Sequence, residues 1–281
     1  MKKLIFIIAV SLTSSFKAQV LTPKASPIAK IQQKVGLADI QIDYSRPSVN
    51  GRVIFGELIP YGQMWRLGAN ENTKITSSEA LIFGKDTLKA GTYALFAKPG
   101  ENNWEFYFYK DYSNWGLPEK WDDSKVALKV SASAGISKEF TENLTLQFEE
   151  LKSSSAKITL TWAQTKVTLP FALDTKTKVL ASIDKTMAGP SANDYHQAAT
   201  YYFNENLDLK KALEWSTKAV EMRGTSAYWM TRLKAQLQAA NGDFKGAIET
   251  AKLSMEAAKA DGDDAYVLAN QKSIEEWSKK R

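Results

Sequence analysis

The segment 103–110, NWEFYFYK, decides the fold of the first half of the chain. In an extended backbone Trp104, Phe106 and Phe108 fall on one side and Glu105, Tyr107 and Tyr109 on the other, the period of a strand with one buried face. The same alternation recurs to either side. Ile40, Ile42 and Tyr44 alternate with Asp39, Gln41 and Asp43, Leu144, Leu146 and Phe148 with polar residues, and Ile158, Leu160 and Trp162 repeat the theme. Turn signals at Phe83-Gly84-Lys85-Asp86, Lys98-Pro99-Gly100 and Ala134-Gly135 separate these runs at meander spacing. With no helical period between the strands, residues 25–173 are expected to form an antiparallel β-sandwich or open barrel rather than a parallel sheet.

After Leu173 the pattern changes. A polar stretch over 174–190, punctuated by Gly189-Pro190-Ser191, reads as a linker, with Asn193 or Asp194 placed to cap the helix that follows. Residues 191–281 are alanine-rich with helical spacing, and they repeat: Asp208-Leu209-x-x-Ala212 returns as Asp243-Phe244-x-x-Ala247, with Ala219 and Ser254 at matching small positions seven residues on. This region resembles the tetratricopeptide repeat over roughly 193–260, a helix-turn-helix unit of about 34 residues. A last helix, 263–277, is placed to cap it. Two repeats are fewer than the three or so that a free-standing array needs, so the helical half is expected to dock on the β domain.

Lys2 and Lys3 precede the apolar run Leu4–Val10, and a short polar segment leads to Ala18, so residues 1–18 read as a signal peptide with Gln19 as mature start. The run is well short of the ~20 residues of a membrane span. The expected location is periplasmic or secreted, with no membrane span in the mature chain. The absence of cysteine excludes disulfides, thiolate metal sites, a cysteine nucleophile and a lipid-modified cysteine. Losing residues 1–18 takes away Lys2, Lys3 and Lys17 and no acid, so 37 basic residues fall to 34 against 31 acidic ones and the net charge to +3. Lysine is spread along the chain, which argues against a nucleic-acid partner.

The densest part of the sequence is 44–71, YSRPSVNGRVIFGELIPYGQMWRLGANE. It gathers Arg46, Arg52 and Arg66 with Tyr44, Tyr61 and Trp65 among four glycines, in what reads as one long loop. Together with Ala25-Ser26-Pro27, Val35-Gly36 and Ala90-Gly91-Thr92-Tyr93, the motifs Tyr44-Ser45-Arg46-Pro47, Gly51-Arg52, Ile54-Phe55-Gly56, Pro60-Tyr61-Gly62, Trp65-Arg66 and Gly68-Ala69-Asn70-Glu71 resemble the domain-of-unknown-function 2911 family. The resemblance covers about 25–170. It implies an exported bacterial protein, often with a helical-repeat tail, and no assigned reaction.

No cofactor motif is present. The single histidine, His196, lies in the helical half with no Gly-x-Ser-x-Gly elbow elsewhere, so a catalytic triad is not expected. One histidine without cysteine makes no ordinary zinc site, Asp261-Gly262-Asp263-Asp264 reads as a helix cap rather than a calcium loop, and Asp122-Asp123 reads as a turn; no metal is expected. Guanidinium groups pair with carboxylates in forks and stack on aromatic rings. Arg46 or Arg66 beside Glu71 and Trp65 is thus either an internal ion pair fixing the loop, or, with Tyr61 and Asn70, the lining of a pocket for a sugar or an anion. The ligand-binding set is Arg46, Tyr61, Trp65, Arg66, Asn70 and Glu71. A second aromatic cluster, Trp104–Trp121, turns Tyr107 and Tyr109 outward, where docking of the helical half would use them. The function that fits is an exported binding or assembly module without catalysis, its partner another envelope protein or a polar or glycan ligand. The alternative is a carboxylate acid/base hydrolase acting on a glycan, drawing on Asp43, Glu57, Glu71 or Asp86.

Overall fold

The computed structural model describes residues 22–280, so the expected signal peptide lies outside the described residues. The chain divides into two compact units at Asp174/Thr175. Among the described residues the first contains nine strands: β1 (Ile28–Val35), β2 (Ala38–Ser45), β3 (Thr73–Ser77), β4 (Leu81–Phe83), β5 (Asp86–Leu88), β6 (Gly91–Lys98), β7 (Asn103–Tyr109), β8 (Val126–Glu149) and β9 (Ser155–Ala172). All pairings are antiparallel, and the strands form one open sheet in the order β1-β2-β3-β6-β7-β8-β9-β4-β5.

One long strand makes this sheet two-layered. The first third of β8 pairs with β7 and the rest with β9. Between these parts the five steps from Ile136 to Thr141 are set against two steps of β9, from Thr165 to Ala163. Such bulges bend the bulged strand, and Ala163 takes the left-handed conformation there (φ 52°). The far part of β8 thus turns back over β2. The Tyr44 hydroxyl on β2 donates to the Leu146 carbonyl on β8 and accepts from the Leu146 N–H, at 3.3 and 3.0 Å. Side chains from both arms fill one core, with Ile40, Ile42, Trp104, Phe106, Phe108, Leu146, Ile158, Leu160 and Trp162 all buried, as the alternation requires.

The opposite face of β6–β7 differs from expectation. Tyr109 is 1% exposed, and it and Tyr107 pack with Phe96 against Trp121, from the loop between β7 and β8. The β unit covers these aromatics with its own chain, so Tyr109 offers no docking surface. A loop that is itself rich in tryptophan supplies the apolar area locally.

The second unit contains six helices: α1 (Thr175–Thr186), α2 (Ala192–Asn204), α3 (Leu209–Arg223), α4 (Tyr228–Ala240), α5 (Phe244–Asp261) and α6 (Asp264–Ser278). The expected linker 174–190 therefore contains a helix. Its Leu180 and Ile183, and Met187 just beyond it, follow helical spacing under a polar start and pack against the cluster around Ala199 and Tyr202. The cap of α2 is Ser191, not Asn193 or Asp194: its hydroxyl accepts the Asp194 N–H while the Asp194 carboxylate accepts the Ser191 N–H. The repeated motif does the same work twice. Asp208 and Asp243 cap α3 and α5, Ala212 and Ala247 are fully buried four residues later, and Ala219 and Ser254 are fully buried seven beyond those. Ser254 stands where an alanine would serve because its hydroxyl donates to Tyr228 O (2.7 Å) and accepts from Asn270 Nδ2 (2.9 Å). Asp263 caps α6, as expected. Six helices, each packed on its chain neighbours, are compatible with a tetratricopeptide-like tail.

Candidate functional site

The loop between β2 and β3, residues 46–72, is anchored at two places. Its start runs beside β8: Val49 N–H donates to Glu142 O (2.8 Å) and Leu144 N–H to Pro47 O (3.0 Å). Its end is pinned to β6, where Trp65 and Ala97 exchange backbone hydrogen bonds of 2.7 and 2.9 Å. Within the loop the chain passes through left-handed φ at three non-glycine residues, Asn50 after the first anchor and Leu67 and Asn70 after the second. Conformations of this kind cost free energy and persist only where the surroundings impose them.

Trp65 (5% exposed) is a core residue. Its ring stacks on Trp162 at 5.9 Å and 16°, stands edge-on to Phe55 and Trp104, and donates Nε1–H to Gly68 O at 3.0 Å. Above this floor opens a cleft of about 540 Å³, walled by Ser48, Asn50, Arg52, Arg66, Asn70 and Trp115 with smaller and apolar residues between them.

The arginines do not make the expected ion pairs. Among the described residues no carboxylate lies within salt-bridge distance of Arg46, Arg52 or Arg66, and Glu71 pairs instead with Lys74 at 3.8 Å. All three satisfy themselves on neutral oxygens. Arg46 donates to Leu144 O (3.0 Å) and Thr145 Oγ1 (2.8 Å), which makes it a latch between β2 and β8. Arg52 donates to Val49 O and Ser48 O, at 3.0 and 2.6 Å. Arg66 donates only to Asn70 O, at 2.7 Å. For Arg52 and Arg66 backbone carbonyls win because the loop turns back on itself, while Glu71, two residues before β3, is exposed. A guanidinium has five N–H donors, so Arg52 and Arg66 keep most of theirs free.

The six residues marked in the sequence thus separate. Trp65, Arg66 and Asn70 meet in the cleft. Arg46 faces β8, Tyr61 (41% exposed) lies over Gly56, and Glu71 lines a neighbouring depression of about 280 Å³ with Asp43, Lys24 and Lys74. Four of the named wall residues, Ser48, Asn50, Arg52 and Trp115, lie outside the ligand-binding set read from the sequence. Arg52 was visible as the third arginine of the stretch. Trp115 comes from the β7–β8 loop, and its place depends on contacts distant in sequence. Asn72 Nδ2 donates to Asn114 O at 2.7 Å, and Gly116 lies so close to Arg66 that an added Cβ would stand 2.8 Å from Nη1.

Acid/base chemistry finds less support. Asp43 and Glu71 share the smaller depression, but Asp43 accepts from Gln41 and lies 3.8 Å from Lys30, and Glu71 is paired with Lys74. Glu57 and Asp86 are exposed and line neither depression. His196 belongs to α2. Burial pushes its pKa down, and its Nδ1 has no hydrogen-bond partner, so no carboxylate orients the ring as a triad needs.

A family model described as "Protein of unknown function (DUF2911)" matches residues 26–171, more than half of the chain. The chain belongs to this family. In this DUF2911 member the matched span contains the whole sheet but the last residue of β9, together with both anchors of the loop and almost every wall of the cleft. No curated protein and no solved structure matches the chain.

Proposed function

We propose that this DUF2911 protein is an exported binding module whose Arg52–Arg66 cleft takes a polar, anionic ligand. One observation carries the reading: two guanidinium groups without a carboxylate partner line a cleft to which no aspartate or glutamate contributes. A scaffold would pair such charges internally, whereas a binding site leaves donors for the ligand. The strained loop fits the same purpose, because held geometry lowers the ordering cost of binding. A glycan hydrolase would require two carboxylates flanking one bond, and the cleft supplies neither.

Export to the periplasm or beyond rests on the charged and apolar segment at 1–18 and the lack of cysteine. N-terminal sequencing of the protein from an envelope or culture fraction is expected to start at or near Gln19; an intact Met1 in a cytoplasmic fraction would refute export.

The site reading is tested by Arg66→Ala. Its unfolding midpoint in denaturant is expected to stay within about 1 kcal/mol of the parent, since one hydrogen bond to a carbonyl is lost and no buried acid is stranded. A thermal-shift panel of neutral sugars, acidic sugars and inorganic oxyanions is expected to raise the parent's Tm with at least one anionic class, and to leave the variant unmoved. A loss of several kcal/mol on substitution, or identical shifts for both proteins, would return Arg66 to the scaffold.

A further inference from the structure

Resting on the reading of the cleft as an anion-binding site, we propose that its ligand is an acidic glycan, a sugar chain whose rings bear carboxylates. Three features of the cleft select this class over a free inorganic anion.

The first is Trp115. It is 66% exposed, yet the loop that carries it is fixed by the Asn72–Asn114 hydrogen bond and by the packing of Gly116 on the Arg66 guanidinium. An indole face presented to solvent from a fixed loop is a platform for the C–H face of a pyranose, which has the same flat, weakly apolar character. An inorganic anion has no use for such a surface.

The second is the form of the positive charge. Arg52 and Arg66 are planar forks, matched to the two oxygens of a carboxylate, and no lysine lines the cleft. A phosphate would draw on a cradle of backbone N–H donors, and four of those on or beside the residues of the cleft are already engaged. The N–H groups of Val49, Asn50, Arg52 and Trp65 donate to Glu142 O, Glu142 Oε1, Val49 O and Ala97 O.

The third is the remainder of the wall. Ser48, Asn50 and Asn70 bring a hydroxyl and two amides, groups that both donate to and accept from sugar hydroxyls. The cleft volume of about 540 Å³ suits a few sugar rings rather than a single small ion.

The experiment is calorimetric titration of the full mature chain with tetramers of galacturonate, glucuronate and mannuronate, with their neutral methyl esters, and with inorganic phosphate. At least one acid is expected to bind, its ester at least tenfold more weakly, and phosphate not to compete at equal concentration. Trp115→Ala and Gly116→Ala, the second of which displaces the Arg66 guanidinium, are each expected to weaken the acid at least tenfold with an unchanged Tm. Equal binding of acid and ester would overturn the carboxylate. Binding unaffected by Trp115→Ala would overturn the ring platform. Failure of every acid, while oxyanions still protect the parent but not Arg66→Ala, would overturn the glycan and leave the anion site standing. Failure of both would overturn the two readings together.

Discussion

Trp65→Ala is expected to cost about 3–5 kcal/mol of unfolding free energy, the range for deleting a large aromatic from a packed core. The indole is almost fully buried and touches three other rings, Phe55, Trp104 and Trp162. Trp104 and Trp162 are held by the strands that carry them and cannot readily move into the space. The loss also strands the Gly68 carbonyl, which accepts the indole N–H. Total stabilities of about 5–15 kcal/mol leave little margin for such a loss. Trp65→Phe is therefore the companion measurement, expected to cost less because a ring remains, though not nothing because the N–H bond is gone. Urea titration followed by tryptophan fluorescence reads both. A cost below about 1 kcal/mol for Trp65→Ala would show that the loop does not close over the core through this residue. Trp115→Ala, at the exposed rim of the same cleft, is expected to leave the midpoint unchanged, which separates floor from wall.

The β architecture was legible because alternation is a local property. Trp104, Phe106 and Phe108 point inward for the same reason that the sequence reads as a strand. The closure of the sheet was not legible. It depends on bulges in β8 between Ile136 and Thr145, a segment without glycine or proline, while Ala134-Gly135, which reads as a turn, lies inside the β8 ladder opposite Val167 and Lys166. The cap of the last helix followed from residue chemistry at Asp263, and the repeated aspartates Asp208 and Asp243 cap α3 and α5, but the cap of α2 fell on Ser191 rather than on Asn193 or Asp194. The linker reading failed at α1 because its first residues, Thr175 to Lys178, are polar and mask the apolar spacing that follows.

The candidate site shows the same division. Sequence concentrated attention on the loop that walls much of the cleft, because three arginines and a tryptophan among glycines are costly to place without purpose. It could not say which arginine turns where. Arg46 and Arg66 look alike in sequence, yet one latches to β8 while the other opens on the cleft, and only the path of the loop decides between them. The partner loop at 114–116 was beyond reach, since Asn72–Asn114 and Arg66–Gly116 are contacts between segments more than 40 residues apart.

Tyr44→Phe is expected to cost about 2–4 kcal/mol, a large effect for the loss of one oxygen atom, because two backbone groups would be left buried without partners at about 1–3 kcal/mol each. Leu146 sits opposite Leu160 in the β8–β9 ladder with its own N–H and C=O turned away from β9, toward β2. The Tyr44 hydroxyl serves both, as donor to the carbonyl and acceptor from the N–H, in a region where both residues are buried. Phenylalanine has nearly the same volume, so no cavity forms and the change isolates the polar effect. Next to it Arg46 closes the same seam on Leu144 and Thr145. The two substitutions Tyr44→Phe and Arg46→Met are therefore expected to be non-additive, the second costing less once the first has loosened the seam. Denaturant unfolding of the two single variants and the double variant measures this directly. A cost below about 0.5 kcal/mol for Tyr44→Phe would mean that water takes the place of the hydroxyl, and that the fold-back of β8 over β2 is held by apolar packing alone.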